Sequence, residues 1–227
     1  SDTRTSAECR EIYERVGGIN ELAKLVSNPA LEGFTAPKIL WLRNNEPDNF
    51  NKLEKVLLPK DYIRYKLSGE LGMDLSDAAG TLLCDVKAEA WSAEIMDKLD
   101  LKESLMPPVL NSIDVVGSVT KEASEKTGLS TTTKVVGGGA DNACGAVGSG
   151  IIKAGRVMAS LGSSGVVLAQ TDQPEADPEG RIHLFNHAVP GSYYMMGVIL
   201  SAGMSFKWMK EKMFNDELDD EQLNKEA

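Results

Sequence analysis

The chain has 227 residues, 42% of them hydrophobic and 26% charged, enough for one large domain or two modest ones with buried cores. Its 24 Lys and Arg against 34 Asp and Glu leave a formal charge of −10, a poor balance for sequence-independent nucleic-acid binding, which needs cations to neutralise phosphates. No apolar run approaches the ~18–20 residues that cross a bilayer, and residues 1–18 lack the apolar core of a signal peptide.

The three cysteines, Cys9, Cys84 and Cys144, are dispersed and odd in number, which fits a reducing cytoplasm better than a disulfide framework. His183 and His187 are the only histidines and have no cysteine ligands nearby, so no metal site is expected from them.

In chain order, "TSAECREIYERVGG" predicts a helix opened by a capping box, Thr5 with Glu8 three residues later, and closed at Gly17-Gly18. "NELAKLVSN" and "APKILWLRNN" carry apolar residues at helical spacing, with Trp41 and Leu42 placed on a core-facing side. "VLL" at 56–58 reads as a buried strand feeding a helix that starts at Pro59 and ends at Gly69. Asp74 and Asp77 flank Ser76 and read as local turn caps. "AEAWSAEIMDKLDL" predicts a further amphipathic helix. From about residue 112 the texture changes to "DVVGSVT" and "TKVVGGG" as strands, with the helix "KEASEKTG" between them. Beyond Gly150, "GRVMASLG", "SSGVVLAQT", "RIHLFNHAV" and "YYMMGVIL" read as strands. The helix "SAGMSFKWMKEKMF" follows, its Phe206, Trp208, Met209 and Met213 forming a packing face, and then an acidic helix over 216–227. The alternation implies an α/β protein, with a domain boundary near residue 150.

The stretch "VVGGGADNACGAVGSG" at 135–150 sets repeated glycines around one aspartate, Asp141. It is neither a P-loop, since no lysine follows the glycines at the required place, nor a dinucleotide fingerprint, since the sixth position from Gly137 is Asn142. A strand, "KVVGG", hands over here to a helix, "NACGAVGSG", and Asp141 stands near the N-cap. A capping role and a proton-accepting role are compatible, because helix-end N–H groups favour a charged carboxylate that could orient a substrate hydroxyl. Cys144, in the same helix, reads as a buried, inert thiol. About twenty residues on, Gly162-Ser163-Ser164-Gly165 forms a hairpin-type turn whose amides and hydroxyls could meet phosphate oxygens.

Taken in order, these segments resemble the FGGY carbohydrate kinases. "GFTAPKILWLRNNEP" is similar to the family's first signature through Gly33, Thr35, Lys38, Trp41 and Leu42. "LPKDYIRYKLSGELGMDLSDAAGTLLCDVKAEAWS", "GGGADNACGAVGSGII", "SLGSSGVV" and "FNHAVPGSYYMMGVILSAGMSFKW" resemble successive later blocks. The resemblance implies an actin-like ATPase (ribonuclease H-like) fold, with residues 1–149 belonging to the sugar-binding domain and 150–227 opening the ATP-binding domain. It implies Asp141 as the catalytic base and Asn142, Asp2 and Arg4 as sugar-binding residues. Gly162, Ser163 and Ser164 would hold the ATP phosphates, with ATP and Mg²⁺ as cosubstrate and cofactor and no protein metal site. The sequence departs from the family pattern at Ser163, usually Thr, and at Ala140, commonly Gly. The implied reaction is phosphorylation of a ketopentose such as D-xylulose in the cytoplasm. Another FGGY polyol or sugar kinase, or a non-catalytic actin-like module, stays open. The expected partners are sugar and ATP, without nucleic acid or membrane, and a homodimer is left open. The family's D-x-G-T loop and adenine-binding half are not in the sequence, so the chain is expected to be a central fragment.

Overall fold

The structure, a computed structural model, describes residues 2–213, so the acidic helix expected over 216–227 lies outside the described residues. The first half is built on helices α1 (Ser6–Val16), α2 (Ile19–Val26), α3 (Thr35–Asn45), α4 (Pro47–Phe50) and α5 (Pro59–Ser68). Short elements follow: β1 (Met73–Asp74), α6 (Leu75–Ala78), a 3₁₀ turn at Ala79–Thr81, β2 (Cys84–Asp85), β3 (Ala90–Trp91), α7 (Ala93–Lys98) and β4 (Val109–Leu110). The hairpin strands β5 (Val115–Ser118) and β6 (Lys134–Val136) enclose α8 (Lys121–Thr127), and β6 leads to α9 (Asp141–Gly148). The remainder is β7 (Val157–Leu161), β8 (Gly165–Thr171), β9 (His183–Asn186), β10 (Tyr193–Ile199) and α10 (Gly203–Met213).

The helix ends obey the sequence punctuation. Gly17 closes α1 in the left-handed region at φ 101°, and its N–H donates to the Tyr13 carbonyl at 2.9 Å. Gly69 and Gly128 do the same for α5 and α8. The helix starts obey it less well. The capping box at Thr5 does not form: the Thr5 hydroxyl donates to the Glu32 carbonyl at 3.4 Å, and Glu8 turns into the core. Residues 56–58 are not a strand. The Val56 N–H donates to the Leu105 carbonyl at 2.9 Å and the Leu58 N–H to the Asp61 carboxylate at 3.1 Å, so the segment is tied to a turn and a helix end. The helix expected over "AEAWSAEIMDKLDL" is shortened at its front, because Ala90–Trp91 pair with Cys84–Asp85 and Ser92 caps α7 from outside. Trp91 is held there by its indole N–H, 2.7 Å from the Pro107 carbonyl.

Beyond residue 150, an antiparallel four-stranded sheet runs in the order β7-β8-β10-β9, with Tyr193 opposite both Thr171 and Asn186. One core joins the two halves: Ile12, Leu22, Val26 and Leu40 from the helices, Leu82, Leu83, Ile95 and Leu99 from the middle, and Leu168, Leu184 and Tyr194 from the sheet. The opposite sheet surface leaves Val157, Leu161, Val167 and Ile199 exposed. The packing face expected on α10 is also absent among the described contacts, with Trp208 58% and Met213 65% exposed.

Asn28 pins the sheet to the helices. Fully buried after α2, it donates from Nδ2 to the Leu184 carbonyl at 2.7 Å and accepts the Leu184 N–H at 3.1 Å, acting as a one-residue partner strand for β9. Its Oδ1 also lies 3.2 Å from His183 Nδ1. Asn28→Ala should lower the unfolding free energy by about 2–3 kcal/mol, because it strands a buried donor and acceptor; an unchanged denaturant midpoint would contradict this. Burial holds both His183 and His187 below their usual value of 6.5. The unfolded chain therefore takes up these protons first, and stability falls as pH drops through ~6.5. Thermal melts between pH 7.5 and 5.5 should show a falling midpoint, and a smaller fall in the double variant His183→Phe/His187→Phe. Equal pH slopes in the two proteins would oppose the assignment.

Candidate active site

The glycine run is a junction between β6 and α9, and the N–H groups of Gly137, Gly138 and Ala140 are engaged by the surrounding chain. The Gly137 N–H donates to the Asp114 carbonyl at 2.8 Å and the Gly138 N–H to the Ser112 carbonyl at 3.0 Å. The Ala140 N–H donates to Ser76 Oγ at 2.9 Å, and Arg64 Nη1 donates to the Gly137 carbonyl at 2.5 Å. A P-loop aims such amides at a phosphate; here they are already satisfied by protein oxygens. Gly138 takes φ +79°, and a Cβ on Gly137 would stand 2.4 Å from the Asn111 carbonyl oxygen, so these two positions need glycine for different reasons.

Asp141 is the first residue of α9 and not its cap. Ala140 holds the cap position at φ −57°, ψ 146°, and its carbonyl accepts the Cys144 N–H at 2.9 Å. The Asp141 carboxylate accepts only its neighbour's amide, Asn142 N–H to Oδ1 at 2.7 Å, and the residue is exposed. Cys144 is exposed too, against the buried thiol expected, and desolvation of the sulfur together with nearby Asp74 raises its pKa.

Beneath the junction lies a buried ionic cluster. Lys60 Nζ stands 2.9 Å from Asp61, 2.5 Å from Asp74 and 3.2 Å from Asp77, and the Asp61 and Asp74 side chains are completely buried. Arg64 pairs with Asp61 at 3.2 Å and also donates to the Gly72 carbonyl. Burial works against the Lys60 charge, but Asp74 and Asp61 outweigh it and raise the ammonium pKa. Burial raises the Asp77 pKa, and Lys60 opposes that rise. Asp74 is a cap as expected, accepting the Ser76 N–H at 3.0 Å; it also accepts the Ser76 hydroxyl at 2.5 Å and the Ser112 hydroxyl at 3.3 Å. Asp77 caps nothing and belongs to the lysine.

A cleft of about 600 Å³ opens between these elements. Asp141 and Asn142 line one side, Ser76 and Asp77 the floor, Glu32 and Phe34 another side, and Phe185, Tyr194 and Leu200 the sheet side. Of "SDTRT", Thr3 lines the cleft, while Asp2 and Arg4 pair with each other at 2.9 Å beside it. The Arg4 guanidinium lies over the Trp41 ring at 4.8 Å, and Trp41 is half-buried, not in the core. Gly162, Ser163 and Ser164 form the β7–β8 turn, closed by the Gly162 N–H to the Ser164 carbonyl at 2.8 Å. The Ser163 carbonyl accepts the Ala202 N–H at 2.9 Å and the Gly162 carbonyl the Gly203 N–H at 3.0 Å, so the turn sits on the start of α10. Leu200 lines the cleft, whereas Gly162, Ser163 and Ser164 do not. Asp141 and Asn142 are thus in the cleft, while Asp2, Arg4 and the turn lie outside its lining. Sequence reasoning missed Ser76, Asp77 and Tyr194 as lining residues, since only the Lys60 cluster and the sheet bring them there.

Two glycines separate local from tertiary demand. Gly145 lies inside α9 with open space at its Cβ position, so Gly145→Ala should stabilise the chain by about 0.5–1 kcal/mol. Gly137→Ala should destabilise it by at least about 1 kcal/mol through collision with Asn111. Melting points that move in the same direction for both would contradict the junction geometry.

Residues 1–148 match the family model described as "FGGY family of carbohydrate kinases, N-terminal domain". The chain is 44% identical over 210 residues to the xylulose kinase of Bacillus subtilis (strain 168), covering 92% of this chain and 42% of that protein. Among solved structures, it superposes on a "xyloylose kinase" from Brucella ovis with TM-score 0.86 and 39% identity, covering 92% of this chain and 43% of that one. It superposes on a xylulose kinase from Rhodospirillum rubrum with TM-score 0.91 and 27% identity, covering 99% and 45%. The chain therefore spans less than half the length of these relatives. Among the described residues no helix is long and apolar enough to cross a membrane. The α/β architecture is that of the actin-like ATPases, and the chain belongs to the FGGY family of carbohydrate kinases.

Proposed function

We propose that, within a protein of its relatives' length, this chain supports ATP-dependent phosphorylation of a ketopentose, D-xylulose to D-xylulose 5-phosphate. The observation that carries the reading is Asp141: an exposed carboxylate on the cleft wall that, among the described residues, pairs with no cation. The relatives named above supply the substrate class. In this reading Asp141 accepts the proton of the sugar hydroxyl as that oxygen attacks the γ-phosphorus of ATP, and ADP leaves. The transition state of such transfers is loose, so the carboxylate contributes chiefly by orienting the hydroxyl.

Asn142 would hold a neighbouring hydroxyl, and Asp2 and Arg4 would reach the sugar from the cleft edge. The turn of Gly162, Ser163 and Ser164 would receive the ATP phosphates through the amides and hydroxyls of Ser163 and Ser164. Among the described residues no group of three or more His, Cys, Asp or Glu is placed to hold a metal ion. Magnesium would be carried on the nucleotide, where it would neutralise phosphate charge. Residues 1–149 would form the sugar-binding part and 150–227 the start of the ATP-binding part, their closure excluding water from the transfer. The reading carries a cytoplasmic location with it.

In the full-length enzyme, Asp141→Ala should lower kcat for D-xylulose by about 10²–10⁴-fold without changing the melting point. Turnover within about 3-fold of the parent would sink the assignment. Glycerol and gluconate tested beside D-xylulose should give a lower kcat/KM, and a preference for either would move the enzyme to another sugar within the family.

A further inference from the structure

We propose that Ser76 is a positioning residue for Asp141, and that the buried Lys60–Asp74 pair sets the direction of its hydroxyl. The inference rests on the reading of Asp141 as proton acceptor and deepens it. Ala140 immediately precedes Asp141, and its N–H ends on Ser76 Oγ at 2.9 Å. A backbone amide can only donate, so Ser76 must accept there. Its own proton then goes to Asp74 Oδ2, at 2.5 Å. Asp74 is committed to the acceptor role by its other donors: Lys60 Nζ at 2.5 Å, the Ser76 N–H at 3.0 Å and the Ser112 hydroxyl at 3.3 Å. The hydroxyl therefore has one orientation.

Nothing in this chain of contacts is loose. Ser76 is 2% exposed and Asp74 not at all. The same cluster grips the junction at its other end, because Arg64, paired with Asp61, donates to the Gly137 carbonyl. Residues 137–140 are thus fixed by side chains at both ends, and between them only by the Ser112 and Asp114 carbonyls. Asp141 itself has no side-chain partner to aim it. Its placement is inherited from Ala140, and a shift of about 1 Å in a reacting group can cost on the order of 10²-fold in rate. Ser76 touches the cleft wall without being required as a proton carrier. Its contribution should therefore fall on turnover more than on sugar binding.

The test uses the full-length kinase with Asp141→Ala, Ser76→Ala, Ser76→Thr and Ala140→Pro. Ser76→Ala should lower kcat by about 10- to 100-fold while KM for D-xylulose moves less than about 3-fold, and Ser76→Thr should recover most of the loss. Amide exchange over residues 139–143 should quicken in Ser76→Ala. Ala140→Pro removes the same bond from the donor side at a compatible φ of −57°, and should reproduce the kcat loss if Ser76→Ala does not fold. If Asp141→Ala is inactive while Ser76→Ala or Ala140→Pro turns over within about 2-fold of the parent, the positioning role is overturned and the base assignment stands. If Ser76→Thr is as slow as Ser76→Ala, the hydroxyl is not what acts, and the proposal is likewise overturned. An active Asp141→Ala removes the reading beneath both.

Discussion

The Lys60 ammonium, set among the carboxylates of Asp61, Asp74 and Asp77, is the interaction on which the site depends. Removing two fully buried carboxylates from water costs several kcal/mol each, and the arrangement survives only because nearly every oxygen finds a donor. That condition is strict, and it is what makes the cluster useful as a scaffold. It ties α5 to β1 and α6, and through Arg64 and Ser76 it reaches the strand–helix junction that presents Asp141. A hydrophobic cluster of equal volume could pack as well, but it could not define where an amide must point. The buried charge supplies direction, and the single core shared by helices and sheet supplies cohesion.

This division of labour explains the glycine run. Glycines beside a strand–helix junction suggest a backbone nest for phosphate, yet the amides of Gly137, Gly138 and Ala140 are all turned into the protein. The glycines serve close approach, at Gly137, and a left-handed turn, at Gly138. The turn at 162–164, by contrast, gives two of its carbonyls to the start of α10. The junction is built to place a carboxylate, while the turn is built on the start of α10.

Much of the fold was legible because it is governed by local rules. Gly17, Gly69 and Gly128 end helices where the sequence says they should, and the four strands read beyond Gly150 form within the expected segments. Local rules failed wherever a distant group made a better offer. Thr5 left its capping box for the Glu32 carbonyl, and Leu58 gave its amide to Asp61 instead of a strand neighbour. Trp41 sits under Arg4 at the surface, because the buried side of α3 is Ala36, Ile39 and Leu40. Asp141 could be singled out from sequence, as a cap and, through the family resemblance, as a proton acceptor; the cap position itself belongs to Ala140. Ser76 could not, because its meaning comes from a contact 64 residues away in the chain.

We propose that the sugar hydroxyl is held for transfer in the cleft beside Asp141. A crystal structure of the full-length kinase with D-xylulose bound should then show a sugar hydroxyl within hydrogen-bond distance of the Asp141 carboxylate, about 2.5–3.2 Å, with the Ala140 N–H still on Ser76. A sugar ordered elsewhere, or one whose hydroxyls all face away from Asp141, would contradict it.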